Sequence, residues 1–141
     1  MPLIRWETEK IRDEIFAEVT YHAAYEPLRC IRTKRYKYIR YFDDFEDVIK
    51  PNIDDSRSKR YLIEYGLMER QHDPAEMLFD LYFDPHERNN LVDQNDYAEI
   101  KTELAAKLHN WMVETDDPLL SGPVPLPEGG FANPQGDLHP S

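Results

Sequence analysis

The sequence lacks several features on which common protein classes depend. Cys30 is the only cysteine among 141 residues, which excludes an internal disulfide and a cysteine-rich zinc site. No apolar run approaches the roughly 20 residues that span a bilayer. Positive charge is scarce, because 28 acidic residues outweigh 17 Lys and Arg and give a net charge of −11. Nucleic-acid and membrane partners are therefore not expected, since phosphate binding needs clustered Lys and Arg.

Glycine is scarce and unevenly placed. Four of the five glycines follow position 121, so the chain has no glycine loop of the kind that cradles phosphate. Residues 118–141 also hold six prolines, and this composition predicts a tail that covers a partner surface or lacks fixed structure. Residues 1–13 are weakly patterned and are predicted to be a lead-in segment that includes a short helix around Glu7–Asp13. They do not have the shape of a signal peptide.

Between these ends, residues 14–117 have the composition of one globular domain. Apolar residues make up 40% of the whole chain and aromatic residues 12%. β-branched and aromatic runs predict strands, and a shorter apolar pattern predicts a helix over Ser56–Met68. The predicted strands are Glu14–Thr20, Leu28–Thr33, Arg35–Phe42 and Met77–Phe83, with a tight turn at Arg32–Arg35. The prediction is an α+β fold in which a long C-terminal helix packs on one face of a small sheet.

That long helix is predicted over Asp96–Glu114. Asp96 and Glu99 have the spacing of a capping box, in which two side chains satisfy backbone N–H groups at the start of a helix. Apolar residues recur at helical spacing on one face. These residues are Tyr97, Ile100, Leu104, Leu108 and Trp111. The pattern predicts that this face lies against the sheet.

Few residues are candidates for chemistry. Cys30 lies inside a predicted strand, where a cysteine is usually a small packed apolar side chain. No two histidines have the close spacing of a zinc motif. His22 stands in a polar and aromatic connector, Thr20–Tyr25, at the end of a strand, which is where binding residues concentrate. The alternative is a loop with surface tyrosines.

A basic hairpin, residues 29–40, is the second candidate. It carries six cations and no acidic residue: Arg29, Arg32, Lys34, Arg35, Lys37 and Arg40. Such a patch attracts sulfate, phosphate or a carboxylated sugar. The alternative is that it pairs with the acidic loop Asp43–Asp47, which lacks the spaced ligands and the glycine of a calcium loop; we expect no metal site on this chain.

Two stretches resemble the C-terminal region of sulfatases. The run Met77–Leu91 is similar to a family motif in which a strand ending Tyr-Asp-Leu is followed by Asp-Pro-x-Glu, Asn-Leu and a long helix. Leu28–Ile39 is similar to the family hairpin with Arg-Thr-x-Arg-x-Lys-Tyr. The resemblance covers roughly Glu14–Pro118. Glu18–Thr20 and Trp111–Pro118 further resemble the N-sulfoglucosamine sulfohydrolase (heparan N-sulfatase) group.

The resemblance implies an enzyme in two parts. A large catalytic domain holds calcium and a formylglycine made from Cys or Ser in the motif Cys/Ser-x-Pro-x-Arg, and the smaller C-terminal part is a four-stranded antiparallel sheet with a helix packed on it. Cys30 is followed by Ile-Arg-Thr, so this chain has no formylglycine motif. Its expected partners are a catalytic domain in cis and a sulfated saccharide, and its expected role excludes catalysis alone. An extracytoplasmic or periplasmic location is expected for the intact enzyme.

By the same resemblance, one cluster of residues forms a wall of the substrate pocket. The expected wall residues are Glu18, Thr20, Tyr21, His22, Tyr25 and Arg29. The Asp84–Pro85 turn and Asn89–Leu91 are expected to determine the fold. An alternative function from another class is a stand-alone module that binds anionic glycans or a protein through the basic hairpin 29–40.

Overall fold

A computed structural model describes residues 12–68 and 75–140, and these contain a four-stranded antiparallel sheet. The strands are β1 (Ile15–Tyr21), β2 (Tyr25–Arg32), β3 (Tyr36–Tyr41) and β4 (Glu76–Asp80), and they lie in the order β1-β2-β3-β4. Two helices, α1 (Arg57–Glu64) and α2 (Ala98–Glu114), follow β3 and β4 respectively. The predicted α+β fold is confirmed. The predicted lead-in helix lies mostly outside the described residues.

One row of side chains crosses the sheet and forms its contact with α2. Phe16, Ile31, Tyr38 and Leu78 are successive register partners from β1 to β4. The last three are fully buried, and Phe16 stacks on Trp111 of α2 at 5.0 Å between ring centroids. The buried residues that α2 contributes are Leu104, Leu108 and Met112. Because β-strand side chains alternate between faces, this row places the core between α2 and one face of the sheet.

The start of α2 differs from the prediction. A 3₁₀ turn, Asn95–Tyr97, precedes the helix, and no side chain caps it. The capping box expected from Asp96 and Glu99 is therefore wrong, because Asp96 lies inside the 3₁₀ turn instead of at the N-cap. The apolar face was predicted correctly, since Tyr97, Ile100 and Trp111 pack against the core beside its buried residues.

Strand β4 is shorter than the predicted run Met77–Phe83. After Asp80 the chain turns, and the Asp80 carbonyl accepts hydrogen bonds from the N–H groups of Phe83 and Asp84. The side chains of Tyr82 and Phe83 are consequently 76% and 73% exposed. The turn is held by the Asp80 carboxylate, which accepts bonds from Arg35 and from the Tyr82 N–H.

The segment after this turn fastens β4 through the residues that were expected to determine the fold. The Asn90 Oδ1 accepts hydrogen bonds from the Leu78 and Val92 N–H groups at 2.9 and 3.2 Å. The Leu91 N–H donates to the Leu78 carbonyl at 2.8 Å, and the Asn89 N–H donates to the Asp84 carboxylate. The two bonds to Leu78 supply strand β4 with partners on the side that lacks another strand, and the other two hold the segment itself in place.

Helix α1 forms where a helix was predicted, and Ser56 caps it by accepting a bond from the Lys59 N–H. The aromatic residues of its apolar pattern are nevertheless largely exposed to solvent. Tyr61 and Tyr65 pair at 4.4 Å between ring centroids and are 54% and 60% exposed. The helix is instead anchored by Lys59, a buried side chain whose ammonium donates to the Ile53 carbonyl.

Residues 118–140 lie against the chain's own sheet, whereas the sequence indicated a tail that covers a partner or lacks fixed structure. Leu119 is part of the hydrophobic core. Farther along, the Asn133 N–H donates to the Ala23 carbonyl at 2.8 Å, and Asn133 forms a parallel bridge with Ala24. Prolines suit this arrangement because it needs few backbone N–H donors.

Candidate functional site

An open cleft of about 660 Å³ lies along the second half of β1 and the turn into β2. Glu18, Thr20, Tyr21 and His22 line it on one side. Val124, Pro125 and Pro127 of the tail, together with Glu26 and Asn52, line the rest. Ligand pockets in proteins typically measure about 300–1,000 Å³. Four of the six predicted wall residues therefore share a cleft of suitable size.

Arg29 lies beneath this wall and does not line it. Its side chain is 1% exposed, and its guanidinium donates to Asp117 through Nε at 2.5 Å and through Nη2 at 3.0 Å. Nη1 donates to the carbonyls of Val19 and Leu28, and Nη2 also donates to Thr20 Oγ1 at 3.2 Å. A guanidinium has five N–H groups, so these five bonds use all of them. Arg29 positions β1 and has no donor left for a ligand.

Asp117 connects this buried pair to the tail. Its Oδ1 accepts a bond from the Leu119 N–H at 3.0 Å, which caps the 3₁₀ turn Pro118–Ser121. Burial alone raises the pKa of the Asp117 carboxyl, but the bonds from Arg29 and Leu119 outweigh it and hold that pKa below its usual value. Asp117 is therefore charged at neutral pH and fixes the point where the tail leaves α2.

The two tyrosines of the predicted wall work as a pair. The rings of Tyr21 and Tyr25 lie 4.9 Å apart, and the Tyr21 hydroxyl donates to the Val124 carbonyl at 2.9 Å. The Tyr25 hydroxyl accepts a bond from the Val124 N–H at 3.3 Å. Burial, and secondarily Tyr25, raise the pKa of Tyr21. Only Tyr21 faces the cleft; Tyr25 lies behind it and holds the tail.

Sequence reasoning missed six residues that line the cleft, of which Val19 belongs to β1 and the other five come from later parts of the chain. Glu26 and Asn52 are bonded to each other, with the Asn52 Nδ2 donating to the Glu26 carboxylate at 2.7 Å, while the Asn52 Oδ1 accepts from the Ala24 N–H at 2.6 Å. Val124, Pro125 and Pro127 reach the cleft from more than 100 positions away in the chain. No local pattern marks such residues, because only the fold brings them to β1.

Two cations of the basic hairpin are neutralised by acidic residues in and after β4. Arg35 pairs with Asp80 at 2.8 Å, and Lys37 pairs with Glu87 at 2.6 Å. The hydrogen bonds from Arg35 hold the pKa of the Asp80 carboxyl below its usual value. For Arg35 and Lys37 the compensating partners are therefore an acid of β4 and an acid of the segment after it. Arg32, Lys34 and Arg40 remain exposed.

Cys30 is buried on the sheet, as expected of a packed side chain. Burial is the main cause that raises the pKa of its thiol. A raised pKa lowers the thiolate fraction at neutral pH, and the thiolate is the reactive form. We expect an aromatic disulfide reagent to leave Cys30 unmodified in the folded chain and to modify it fully after denaturation in urea. Rapid modification without denaturant would contradict this placement.

The tail's contact with the turn before β2 gives a second test. The Asn133 Nδ2 donates to the Ala23 carbonyl at 3.0 Å. Asn133→Ala removes one hydrogen bond, which is worth about 0.5–1.5 kcal/mol. Amide hydrogen exchange over residues 123–138 should therefore accelerate by roughly two- to tenfold, while α2 stays protected. Unchanged exchange in the tail would show that this bond does not hold it.

Residues 12–68 and 75–140 contain no group of three His, Cys, Asp or Glu side chains placed to hold a metal ion. No helix within them has the length and apolar character to cross a membrane.

Comparison with known proteins gives related sequences and folds. No family model matches the chain. The ulvan-active sulfatase of Formosa agariphila is 39% identical over 101 residues, which are 72% of this chain and 20% of that protein. A solved 2-O GAG sulfatase is 25% identical with a TM-score of 0.56, covering 85% of this chain and 20% of its own.

A third similarity concerns the fold alone. A structure in complex with its substrate D-glucosamine-2-N,6-O-disulfate is 18% identical with a TM-score of 0.51, and the match covers 82% of this chain and 18% of that one. The chain thus spans about one fifth of the length of the proteins it matches. Sequence and fold together support a place in the sulfatase family for this chain.

Proposed function

We propose that this chain is the C-terminal subdomain of a sulfatase that acts on sulfated sugars, and that it contributes one wall of the substrate pocket. The identity with the ulvan-active sulfatase carries the proposal, because it covers most of this chain and only a fifth of that enzyme. The proposed subdomain comprises residues 14–117, after a lead-in segment 1–13, and the tail 118–141 completes its cleft. The wall consists of Glu18, Thr20, Tyr21 and His22, supported from behind by Tyr25 and Arg29.

In this proposal the catalytic groups reside in a separate domain of the intact enzyme. Sulfatases generally use calcium and formylglycine, and the residues described here do not fit either group. Cys30 is buried and is followed by Ile31, whereas a formylglycine precursor needs a proline two residues later. The carboxylates that face the cleft come from Glu18 and Glu26 and belong to no cluster that could hold a metal ion. The chain should therefore be inactive alone.

Exposed aromatic pairs support docking against a catalytic domain in cis. Tyr61 and Tyr65 form one pair on α1, and Tyr82 and Phe83 form another after β4, with rings 4.9 Å apart. Large exposed apolar patches are rare on monomeric proteins, and where they occur they often mark an interaction surface. In the intact enzyme we expect at least one of these pairs to be covered.

The finer proposal is that the intact enzyme belongs with the N-sulfoglucosamine sulfohydrolase group. The motifs that suggest it lie at the site, because Glu18–Thr20 form part of the cleft and Trp111–Pro118 include the buried partner of Arg29. The similarity to a 2-O GAG sulfatase agrees with a sulfated glycosaminoglycan substrate. We propose this class of substrate for the intact enzyme only.

Two measurements test the proposal. The DNA immediately upstream should encode the motif Cys/Ser-x-Pro-x-Arg in the same reading frame or in a neighbouring gene. The purified chain should show no turnover of 4-nitrophenyl sulfate. An unrelated upstream region would remove the proposal, and measurable turnover by the chain alone would contradict the assignment of catalysis to a separate domain.

Binding of anionic glycans through the basic hairpin 29–40 has less support. Arg29, Arg35 and Lys37 are engaged with acidic partners, which leaves three exposed cations. Retention on heparin that falls steeply with salt, and that is lost in Arg32→Ala/Lys34→Ala, would favour this function instead.

A further inference from the structure

The cleft beside β1 presents hydrogen-bond acceptors and carboxylates, and no Lys or Arg is among the residues that line it in the described part of the chain. The Glu18 side chain is 62% exposed, and Glu18 Oε2 lies 3.6 Å from Arg29 Nε. Because Arg29 has all five N–H groups engaged, it cannot turn toward a ligand without breaking a buried pair. Among the described lining residues His22 alone can carry a positive charge, so a sulfate placed in this cleft would face two carboxylates against at most one imidazolium.

The remaining groups in the cleft suit a sugar ring. The Glu26 carboxylate accepts one bond from Asn52 and has capacity for more, since a carboxylate has about four acceptor sites. Thr20 Oγ1 accepts a bond from Arg29, so its own O–H proton is free to be directed elsewhere. Pro125, Pro127 and the Tyr21 ring supply apolar surface in the same cleft. Carboxylate acceptors and apolar surface within one cleft match the hydroxyl edge and C–H face of a saccharide.

We propose that this cleft binds a hydrogen-bond-donating part of a saccharide, prefers an ammonium substituent to an uncharged one, and rejects a sulfate. Glu18 and Glu26 determine that preference. The inference rests on the proposed function for the identity of the ligand as a sugar, and it places the sulfate of any substrate outside this wall. The selectivity itself follows from the charge of the cleft alone.

Three glucosamine derivatives that differ only at the nitrogen test this selectivity. Glucosamine is cationic, N-acetylglucosamine is neutral and N-sulfoglucosamine is anionic. Each is titrated into the ¹⁵N-labelled chain at a pH where the free amine is protonated, and the amides of residues 18–26 are followed by NMR. We expect glucosamine to bind roughly tenfold more tightly than N-acetylglucosamine, as a charge-assisted hydrogen bond allows, and we expect N-sulfoglucosamine to bind more weakly than either.

Matched variants identify the residues responsible. Glu18→Gln and Glu26→Gln keep side-chain size and remove one charge each, and each should reduce the preference for glucosamine by several fold. Glu103→Gln is the control, because Glu103 pairs with Lys107 on α2 and does not line the cleft; it should bind like the unmodified chain. A preference retained in both cleft variants would overturn the roles of Glu18 and Glu26.

Two further results would overturn the inference as a whole. One is binding of N-sulfoglucosamine as tight as that of glucosamine, and the other is no shift of the cleft amides with any of the three sugars. Neither affects the sulfatase proposal, which is decided by the upstream sequence. Conversely, an unrelated upstream sequence with an intact preference for glucosamine would remove the sulfatase proposal and leave the cleft's selectivity standing.

Discussion

Replacing Arg29 by alanine is expected to lower the free energy of unfolding by about 3–5 kcal/mol, the usual cost of removing one partner of a buried ion pair. Arg29 and Asp117 have side chains that are each 1% exposed. In the variant, the Asp117 carboxylate stays buried and loses both bonds from the guanidinium. The carbonyls of Val19 and Leu28 lose their side-chain donors as well. Urea denaturation monitored by tryptophan fluorescence measures the loss.

A matched control separates this pair from ordinary surface charge. Lys107→Ala removes an exposed pair with Glu103, spaced four residues apart on α2, and should cost no more than about 1 kcal/mol. A double-mutant cycle with Arg29→Met and Asp117→Asn tests the pair directly. The double variant should lose less unfolding free energy than the two single variants added together, because it contains no unpaired buried charge. Additive costs would show that the two residues do not interact.

The Arg29–Asp117 pair also predicts that the stability of the chain depends on pH. The pKa of Asp117 is held below its ordinary value in the folded chain, so the unfolded chain binds a proton more readily as the pH falls. The stability that Asp117 contributes is therefore complete at neutral pH and is lost below roughly pH 4. The difference in the free energy of unfolding between the unmodified chain and Arg29→Ala should therefore become smaller as the pH falls through that range. If the difference in unfolding free energy between the two proteins stays constant down to about pH 3, the lowered pKa of Asp117 is contradicted.

The sequence predicted what depends on neighbours along the chain. The β-branched and aromatic runs that predicted the strands, and the 3.6-residue spacing of Ile100, Leu104 and Leu108, are local patterns, and the four strands and the long helix formed. One error occurred where a distant contact decides the structure. Strand β4 ends at Asp80 because that carboxylate binds Arg35, which comes 45 positions earlier. The capping box is a local error, because the 3₁₀ turn directly before α2 holds Asp96 away from the N-cap.

The cleft shows the same limit more clearly. The connector from Thr20 to His22 could be identified because a polar and aromatic run at a strand end is visible locally. The tail residues that form the other side could not, because their place is set by the bonds of Tyr21 and Tyr25 to Val124. The sequence also suggested Arg29 as a ligand group, whereas its burial and its five bonds give it a positioning role. A charge count alone cannot distinguish a saturated cation from a free one.

This distinction changes how the wall would work in an intact sulfatase. A cationic wall would compete with the catalytic domain for the sulfate group. In the proposed enzyme, a wall with carboxylates and a neutralised arginine beneath it would instead repel sulfate and bind the hydroxyl side of the sugar. In the proposed enzyme, the two parts would therefore orient a substrate by opposite electrostatic preferences.

The contact between α2 and the sheet carries the second large effect. Leu108 is 1% exposed and belongs to the same core as Ile31 and Tyr38 of the central strands. Leu108→Ala should lower the free energy of unfolding by about 2–5 kcal/mol, because it removes buried methyl groups and leaves a cavity that the surrounding strands only partly fill. Val113→Ala on the same helix is the matched control.

The Val113 side chain is 53% exposed, and alanine favours a helix slightly more than valine does, so the control should change stability by less than about 0.5 kcal/mol. Both variants truncate a branched aliphatic side chain in the middle or last turns of α2, and they differ chiefly in burial. Urea denaturation of the two proteins measures the difference directly. Equal losses would place α2 away from the sheet, because only a helix whose Leu108 face lies on β2 and β3 makes the two positions unequal.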